Sequence, residues 1–336
     1  MTRRIHLSSI PGLVLVAALL SLLTGCRHSF DSTTILGSSG EVIVVMDKSD
    51  WEGALGQEVR TALESPVEFL EPAEKKFKLT FIKKGNLSRQ LRMNRNIVLF
   101  RMGEDVDTSA VVYRKDVWAH PQIVVQVNAR NAAEARQMVA SEADAIYRKI
   151  ELAEISRNVE KCYKYEIKSI TPKIEAFADG SPRIPDTGYR VANEAEDFIW
   201  VNSASQYITS GIIVIAYPAA GDGRDLDPER INLFLRDRIN SHVPGGPDGS
   251  YMDIADEWVP LVSDLDVNGR HIKQIRSRWK IQGDSMGGPY VSHTFLTPDG
   301  SKVVTMMAFL FCQRYDNRTY FRQAESILYS FKWKGE

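Results

Sequence analysis

The 336-residue sequence has few cysteines and histidines and almost no net charge. It contains three cysteines and six histidines, and its 42 Lys and Arg residues nearly cancel its 43 Asp and Glu residues. A protein that binds the phosphate backbone of nucleic acids needs a basic footprint, so we expect no nucleic-acid partner. The histidines show none of the short paired spacings of zinc sites. We therefore expect no metal and no cofactor.

Common nucleotide-binding motifs are also missing. The sequence has no Walker loop and no Gly-x-Gly-x-x-Gly after a strand. Residues 283–289 (Gly-Asp-Ser-Met-Gly-Gly-Pro) resemble the string around the serine of chymotrypsin-like proteases. However, Met286 is inserted between Ser285 and the glycines, which would misplace an oxyanion donor. We interpret this segment as a Gly-rich turn between two strands.

The N-terminus predicts a lipoprotein. Arg3 and Arg4 precede an apolar segment, residues 13–23, that is too short for a permanent membrane span. Residues 23–26 (Leu-Thr-Gly-Cys) then resemble the bacterial lipobox. This resemblance implies that the thiol of Cys26 carries a diacylglyceryl group and that the lipid anchors the protein to a membrane.

The residue after Cys26 is Arg27, whereas an aspartate there tends to keep enteric lipoproteins in the inner membrane. We therefore expect an outer-membrane lipoprotein that faces the periplasm. In that oxidising compartment Cys162 and Cys312 could form a disulfide. Cys162 lies beside a helical run and Cys312 lies in an apolar run, so we expect two buried free thiols.

The hydrophobic patterns predict an α+β protein: two αβα-type sandwich halves with largely antiparallel sheets, joined by a long helix. Residues 211–216 are apolar on both faces, which favours a central strand, and Asn268-Gly269 between alternating segments predicts a hairpin. The similar element order of the two halves suggests a duplication. The predicted parts are a signal peptide (1–25), a tether (26–40), an N-terminal α+β domain (41–160), a linker with a helix (161–183) and a C-terminal α+β domain (184–336).

Two family resemblances rest on particular residues. The lipobox, Trp51, residues 116–119 (Asp-Val-Trp-Ala) and residues 286–290 (Met-Gly-Gly-Pro-Tyr) resemble a Bacteroidetes lipoprotein family catalogued as a domain of unknown function. That resemblance covers 40–333 and implies an envelope location without catalytic residues. The layout of 184–334 is similar to PsbP-like domains, which implies an αβα sandwich and an accessory role by fold analogy alone.

These observations favour a lipid-anchored envelope protein that acts as a non-catalytic binding or assembly-accessory module, with an envelope protein as its partner. Two alternatives stay open: a hydrolase of envelope glycans or peptides, and a carrier with a small-molecule pocket between sheet and helix. The first candidates of the hydrolase are Asp284, Ser285, His271 and His293. Loops on rigid sheets often carry recognition, and the candidate recognition surface comprises Trp118, His120, Trp279, Met286, Gly287, Gly288 and Tyr290.

Overall fold

The computed structural model describes residues 34–313 and 316–336. The predicted signal peptide, Cys26 and the first part of the predicted tether lie outside the described residues. Within the described part, seven helices and fifteen strands give 30% helix and 38% strand, and most strand pairs are antiparallel. The predicted α+β class is confirmed. No helix of these residues is long and apolar enough to cross a bilayer.

The first domain is a five-stranded sheet with helices on one face. Its strand order is β2-β1-β3-β5-β4, and only the β4–β5 pair is antiparallel. The expectation of antiparallel pairing therefore does not hold within this sheet. The strands are β1 (Glu41–Met46), β2 (Lys78–Lys83), β3 (Asn96–Met102), β4 (Ala110–Lys115) and β5 (Ile123–Ala129), and the helices are α1 (Lys48–Glu52), α2 (Ala54–Glu64), α3 (Ala132–Ser141) and α4 (Ala143–Lys164).

The second domain is built on an eight-stranded antiparallel sheet. Its strand order is β7-β8-β9-β14-β13-β12, and β10 and β11 both pair with the outer edge of β12. The short strands β6 and β15 pair with each other. The strands are β6 (Gly180–Ser181), β7 (Arg190–Ala195), β8 (Phe198–Ala204), β9 (Ile208–Pro218), β10 (Tyr251–Ile254), β11 (Leu261–Val267), β12 (Arg270–Gln282), β13 (Gly287–Leu296), β14 (Lys302–Cys312) and β15 (Lys332–Trp333). The helices are α5 (Thr171–Ala178), α6 (Pro228–His242) and α7 (Asn317–Tyr329).

Three main cores fill the molecule. The first core lies between the first sheet and α2, α3 and α4. The second core lies between the second sheet and α5 and α7, and the third lies between the same sheet and α6. Strand β9 is central, as predicted, because Ile212 and Val214 enter the second core while Ile213 and Ile215 enter the third.

Local signals in the sequence correspond well to the structure. Asn268 and Gly269 both have positive φ between β11 and β12, as a tight hairpin requires. Asn131 caps α3, and its side-chain oxygen accepts from the Glu134 amide at 2.9 Å. The predicted linking helix is interrupted at Glu142, between α3 and α4.

The two domains meet along α4, and the segment after it belongs to the second fold. Within 161–183, predicted as a linker with a helix, lie the end of α4 and all of α5, whose Ile174 and Ala178 are fully buried in the second core. The duplication hypothesis is not supported, because the two sheets differ in strand order and pairing direction.

Candidate functional site

The Gly-rich segment around Met286 is a structural turn. It joins β12 to β13, with Lys280 paired to Gly287. Trp279 is only 2% exposed, and its indole Nε1 donates to the Leu310 carbonyl oxygen at 3.2 Å. A Cβ at position 288 would lie 2.0 Å from that same oxygen, so the close approach of the strands requires glycine.

The structure therefore corrects the candidate recognition surface. Trp279, Gly288 and Tyr290 are buried, and Tyr290 has no exposed surface. Met286 and Gly287 are half-buried, and Met286 packs against the third core. The alternating pattern of a strand does not show whether the face that carries its tryptophan meets solvent or a helix. Here α6 covers the face of β12 that carries Trp279.

The other part of the candidate surface lies in the first domain. Trp118 and His120 belong to the turn between β4 and β5, where His120 Nδ1 lies 3.0 Å from Asp116 Oδ2. His120 is exposed, and Trp118 is half-buried against the outer face of the first sheet. The two parts of the candidate surface thus belong to different domains.

The hydrolase candidates are not assembled into a site. Ser285 is exposed in the turn, whereas His293 is fully buried six strand residues beyond Gly287, about 20 Å along an extended chain. His271 is exposed and lies 3.3 Å from Asp264 on the β11–β12 hairpin. Among the residues of 34–313 and 316–336, no group of three His, Cys, Asp or Glu could hold a metal ion.

A cavity of about 460 Å³ lies at the end of the domain seam. Its walls are the last turns of α4, the helix α7, the loop that precedes β7 and the neighbouring ends of β8 and β9. This volume is within the range of small-molecule sites. It lies between sheet and helices, where the carrier alternative requires a pocket.

The floor of the cavity is apolar and buried. Cys162, Ala324 and Ile327 are at most 2% exposed, and they belong to the second core. Cys162 is a buried free thiol, as predicted, and Cys312 is buried as well. Burial raises the pKa of the Cys162 thiol to about 12, so this part of the floor carries no charge at neutral pH.

One hydrogen bond brings polarity into the interior. The Tyr189 hydroxyl and Ser210 Oγ lie 2.7 Å apart, and both residues line the cavity. Burial raises the pKa of Tyr189 to about 12, although the hydrogen bond with Ser210 opposes that shift. Both groups are neutral, and each can still offer a lone pair or a proton to a ligand.

The mouth of the cavity is polar and exposed. It is formed by Lys161 and Tyr165 at the end of α4, Gln323 on α7, and the small hydroxyl residues Thr187 and Ser205. The Asp186 amide donates to the Tyr165 carbonyl at 2.7 Å, which fixes the loop before β7 beside α4. A polar rim over an apolar floor suits a ligand with two unlike ends.

Contacts between α4 and α7 hold the cavity walls together. The Arg322 guanidinium donates to both carboxylate oxygens of Glu151, at 2.6 and 2.8 Å. One turn further along α7, Ser326 Oγ lies 3.4 Å from Asn158 Nδ2 of α4. Because Asn158 also lines the cavity, this seam between the domains continues directly into the cavity wall.

Sequence reasoning did not single out the residues of this cavity as a site. One local signal was present. Ser210 lies on the same face of β9 as Ile208 and Ile212, and a polar residue at an inward-facing strand position is unusual without a function. The remaining walls come from α4 and α7, which are distant in the sequence.

Two family models match the chain, and they meet near the end of α4. Residues 36–163 match "Domain of unknown function (DUF8532)", and residues 168–330 match "Domain of unknown function (DUF4837)". Both are domains of unknown function. The expected resemblance is confirmed to that extent, while its Bacteroidetes, lipoprotein and PsbP-like parts remain predictions.

The other comparisons add little. No curated protein matches this sequence. Human STARD10 is a solved structure that covers 43% of this chain and 74% of its own, with 13% sequence identity and a TM-score of 0.21. A likeness this slight carries no argument about fold or function.

Proposed function

We propose that this protein is a lipid-anchored envelope protein that binds a small molecule without transforming it. The cavity at the end of the α4–α7 seam is the observation that carries this proposal. It combines an apolar floor, an internal hydroxyl pair and a polar mouth, which are the ordinary features of a ligand site. The hydrolase candidate Ser285 is exposed in the β12–β13 turn whereas His293 is fully buried, so binding is favoured over hydrolysis.

The anchor and the envelope location form the second part of the proposal. Cys26 carries the lipid, the protein belongs to an envelope lipoprotein family of Bacteroidetes, and it faces the periplasm from the outer membrane. The lipobox and Arg27 support this part. The helices on both faces of the second sheet support a PsbP-like relationship for the second domain, and with it a role as a binding or accessory module.

Ligand binding is tested by native mass spectrometry of the protein purified from its own envelope. We expect a bound small molecule in wild type and its loss in Ala324→Phe, because the larger side chain fills the floor. Ser205→Trp, at the exposed mouth, provides a second obstruction with little risk to folding. Ala133→Phe on the exposed surface of α3 is the control and keeps the ligand. Equal ligand occupancy in all four proteins, each with a wild-type circular dichroism spectrum, contradicts the proposal.

The anchor is tested by labelling with palmitate. Wild type incorporates the label and sediments with outer membranes, whereas Cys26→Ser does neither. Incorporation that persists in Cys26→Ser places the lipid elsewhere.

A further inference from the structure

The cavity lining carries a positive charge and no negative charge. Among the described residues that form it, Lys161 is the one cation and none is aspartate or glutamate. Glu166 and Asp186, each next in sequence to a mouth residue, have basic partners of their own: Glu166 lies 3.7 Å from Arg183, and Asp186 lies 3.4 Å from Arg190. Glu160, which precedes Lys161, is exposed and is not part of the lining. A negative group at the mouth therefore meets a cation without an opposing carboxylate in the wall.

Lys161 is available for such a group. It is exposed on the last turns of α4, and it forms no ion pair or side-chain hydrogen bond with any residue of 34–313 or 316–336. Lys149 on the same helix differs, because the Lys149 ammonium lies 5.8 Å from the Tyr113 ring centroid and far from the cavity lining. These two lysines on one helix provide a matched pair for an experiment.

The buried floor of the cavity favours an apolar group over a charged one. Ala324 and Ile327 present aliphatic carbon, and Cys162 presents a neutral thiol that behaves as a small hydrophobe. A charged group placed there would lose its hydration without an ion-pair partner. An apolar tail would instead gain from burial in proportion to its length.

We propose that the cavity binds a single-tailed amphiphile with an anionic head group, the head at Lys161 and the tail on the floor formed by Cys162, Ala324 and Ile327. This inference rests on the proposed function and specifies its ligand. The mouth hydroxyls of Thr187 and Ser205 and the amide of Gln323 are placed to hydrogen-bond the head-group oxygens. A carboxylate and a phosphate monoester share this chemistry.

The test is calorimetric titration of the chain from Arg27 onward, which keeps every residue of the three cores, with monomeric dodecanoate, dodecyl phosphate and neutral dodecanol. We expect the anions to bind at least about 10-fold more tightly than the alcohol, because a hydrogen bond to a charged group is worth that much. Each methylene added to a shorter anionic probe improves affinity about fourfold until the cavity is full.

Lys161→Glu reduces the affinity for the anions at least about 10-fold and leaves dodecanol binding unchanged, while Lys149→Glu, the matched control, alters neither. Tight binding of dodecanoate alone supports a fatty-acid type of ligand, and tight binding of dodecyl phosphate alone supports a lipid phosphate; either result supports the proposal.

Equal binding of anions and alcohol, with Lys161→Glu indistinguishable from wild type, overturns the anionic head group but leaves a cavity that binds small molecules. Failure of all three probes to bind overturns the amphiphile. If the protein from its own envelope still carries a ligand that Ala324→Phe loses, the proposed function stands without this inference.

Discussion

Two different ionic clusters flank the packed helices α4 and α7. Towards the first sheet, the fully buried Glu154 accepts hydrogen bonds from Arg95, Arg157 and Asn96 at 2.7–2.9 Å. Towards the second domain, the buried Glu325 of α7 pairs with Arg276. Each cluster buries a carboxylate against arginine, but the two carboxylates have opposite pKa shifts.

The difference lies in how many donors surround each carboxylate. Burial raises the pKa of Glu154, but the charges of Arg95 and Arg157 and the Asn96 hydrogen bond outweigh it, so that pKa is lowered. Burial dominates at Glu325 and raises its pKa; Arg276 opposes the shift, and the nearby charge of Glu151 adds to it. The first cluster is therefore a saturated ionic network, whereas the second leaves its carboxylate poorly compensated.

Removing the charge of Glu154 should give the largest change in the free energy of unfolding. Glu154→Gln leaves Arg95 and Arg157 close together without a counter-ion, so we expect the free energy of unfolding to fall by about 3–5 kcal/mol. Urea denaturation measures it. Glu160→Gln, on the exposed face of the same helix, is the control and should lie within about 0.5 kcal/mol of wild type. A similar small change for Glu154→Gln would contradict the saturated network.

Glu325→Gln should cost less, about 1–3 kcal/mol at neutral pH. The Gln carbonyl still accepts from Arg276, and the substitution removes a carboxylate that burial already disfavours. The same denaturation experiment measures the difference. A loss as large as that of Glu154→Gln would mean that the two clusters are equally well compensated.

His293 lies under α7 in the second cluster and should make that side sensitive to acid. It is fully buried, and burial, followed by the charges of Arg276 and Arg270, lowers its pKa to about 3. Neutral His293 contributes fully to the free energy of unfolding above its unfolded pKa. This contribution is lost as pH falls from about 6.5 towards the folded pKa, by at most about 1.4 kcal/mol per pH unit. Unfolding free energies of His293→Gln across this window should lack that contribution; a slope identical to wild type would exclude it.

The smallest effect is a difference in sign between the two glutamate variants. The contribution of Glu154 is present above the unfolded pKa of about 4.3 and is lost as pH falls through its folded pKa. That of Glu325 is present below the same value and is lost as pH rises through its folded pKa. The deficit of Glu154→Gln should thus shrink on acidification, and that of Glu325→Gln should shrink on raising the pH. Parallel pH profiles would refute the opposite shifts.

Local chemistry could be predicted from the sequence, and long-range packing could not. The turn at Asn268-Gly269 depends on neighbouring residues, and its prediction is confirmed. The cap at Asn131 is equally local. The pairing direction of the first sheet depends on crossovers that residue patterns do not encode. The cavity joins Cys162 to Ala324, which are far apart in the sequence. The burial of Trp279 depends on α6, which covers that face of the sheet.

The position of Thr34 limits how far the protein reaches from a lipid on Cys26. Thr34 already pairs with His120 beside the β4–β5 turn, and Leu36 pairs with Asn94. Cys26 and Thr34 are eight positions apart, which an extended chain spans in at most about 29 Å. If Cys26 carries the lipid as proposed, Thr34 stays within that distance of the bilayer surface, with the β4–β5 turn on the tethered side. The protein then samples only a thin layer of the periplasm, and amphiphiles leaving the membrane enter that layer first.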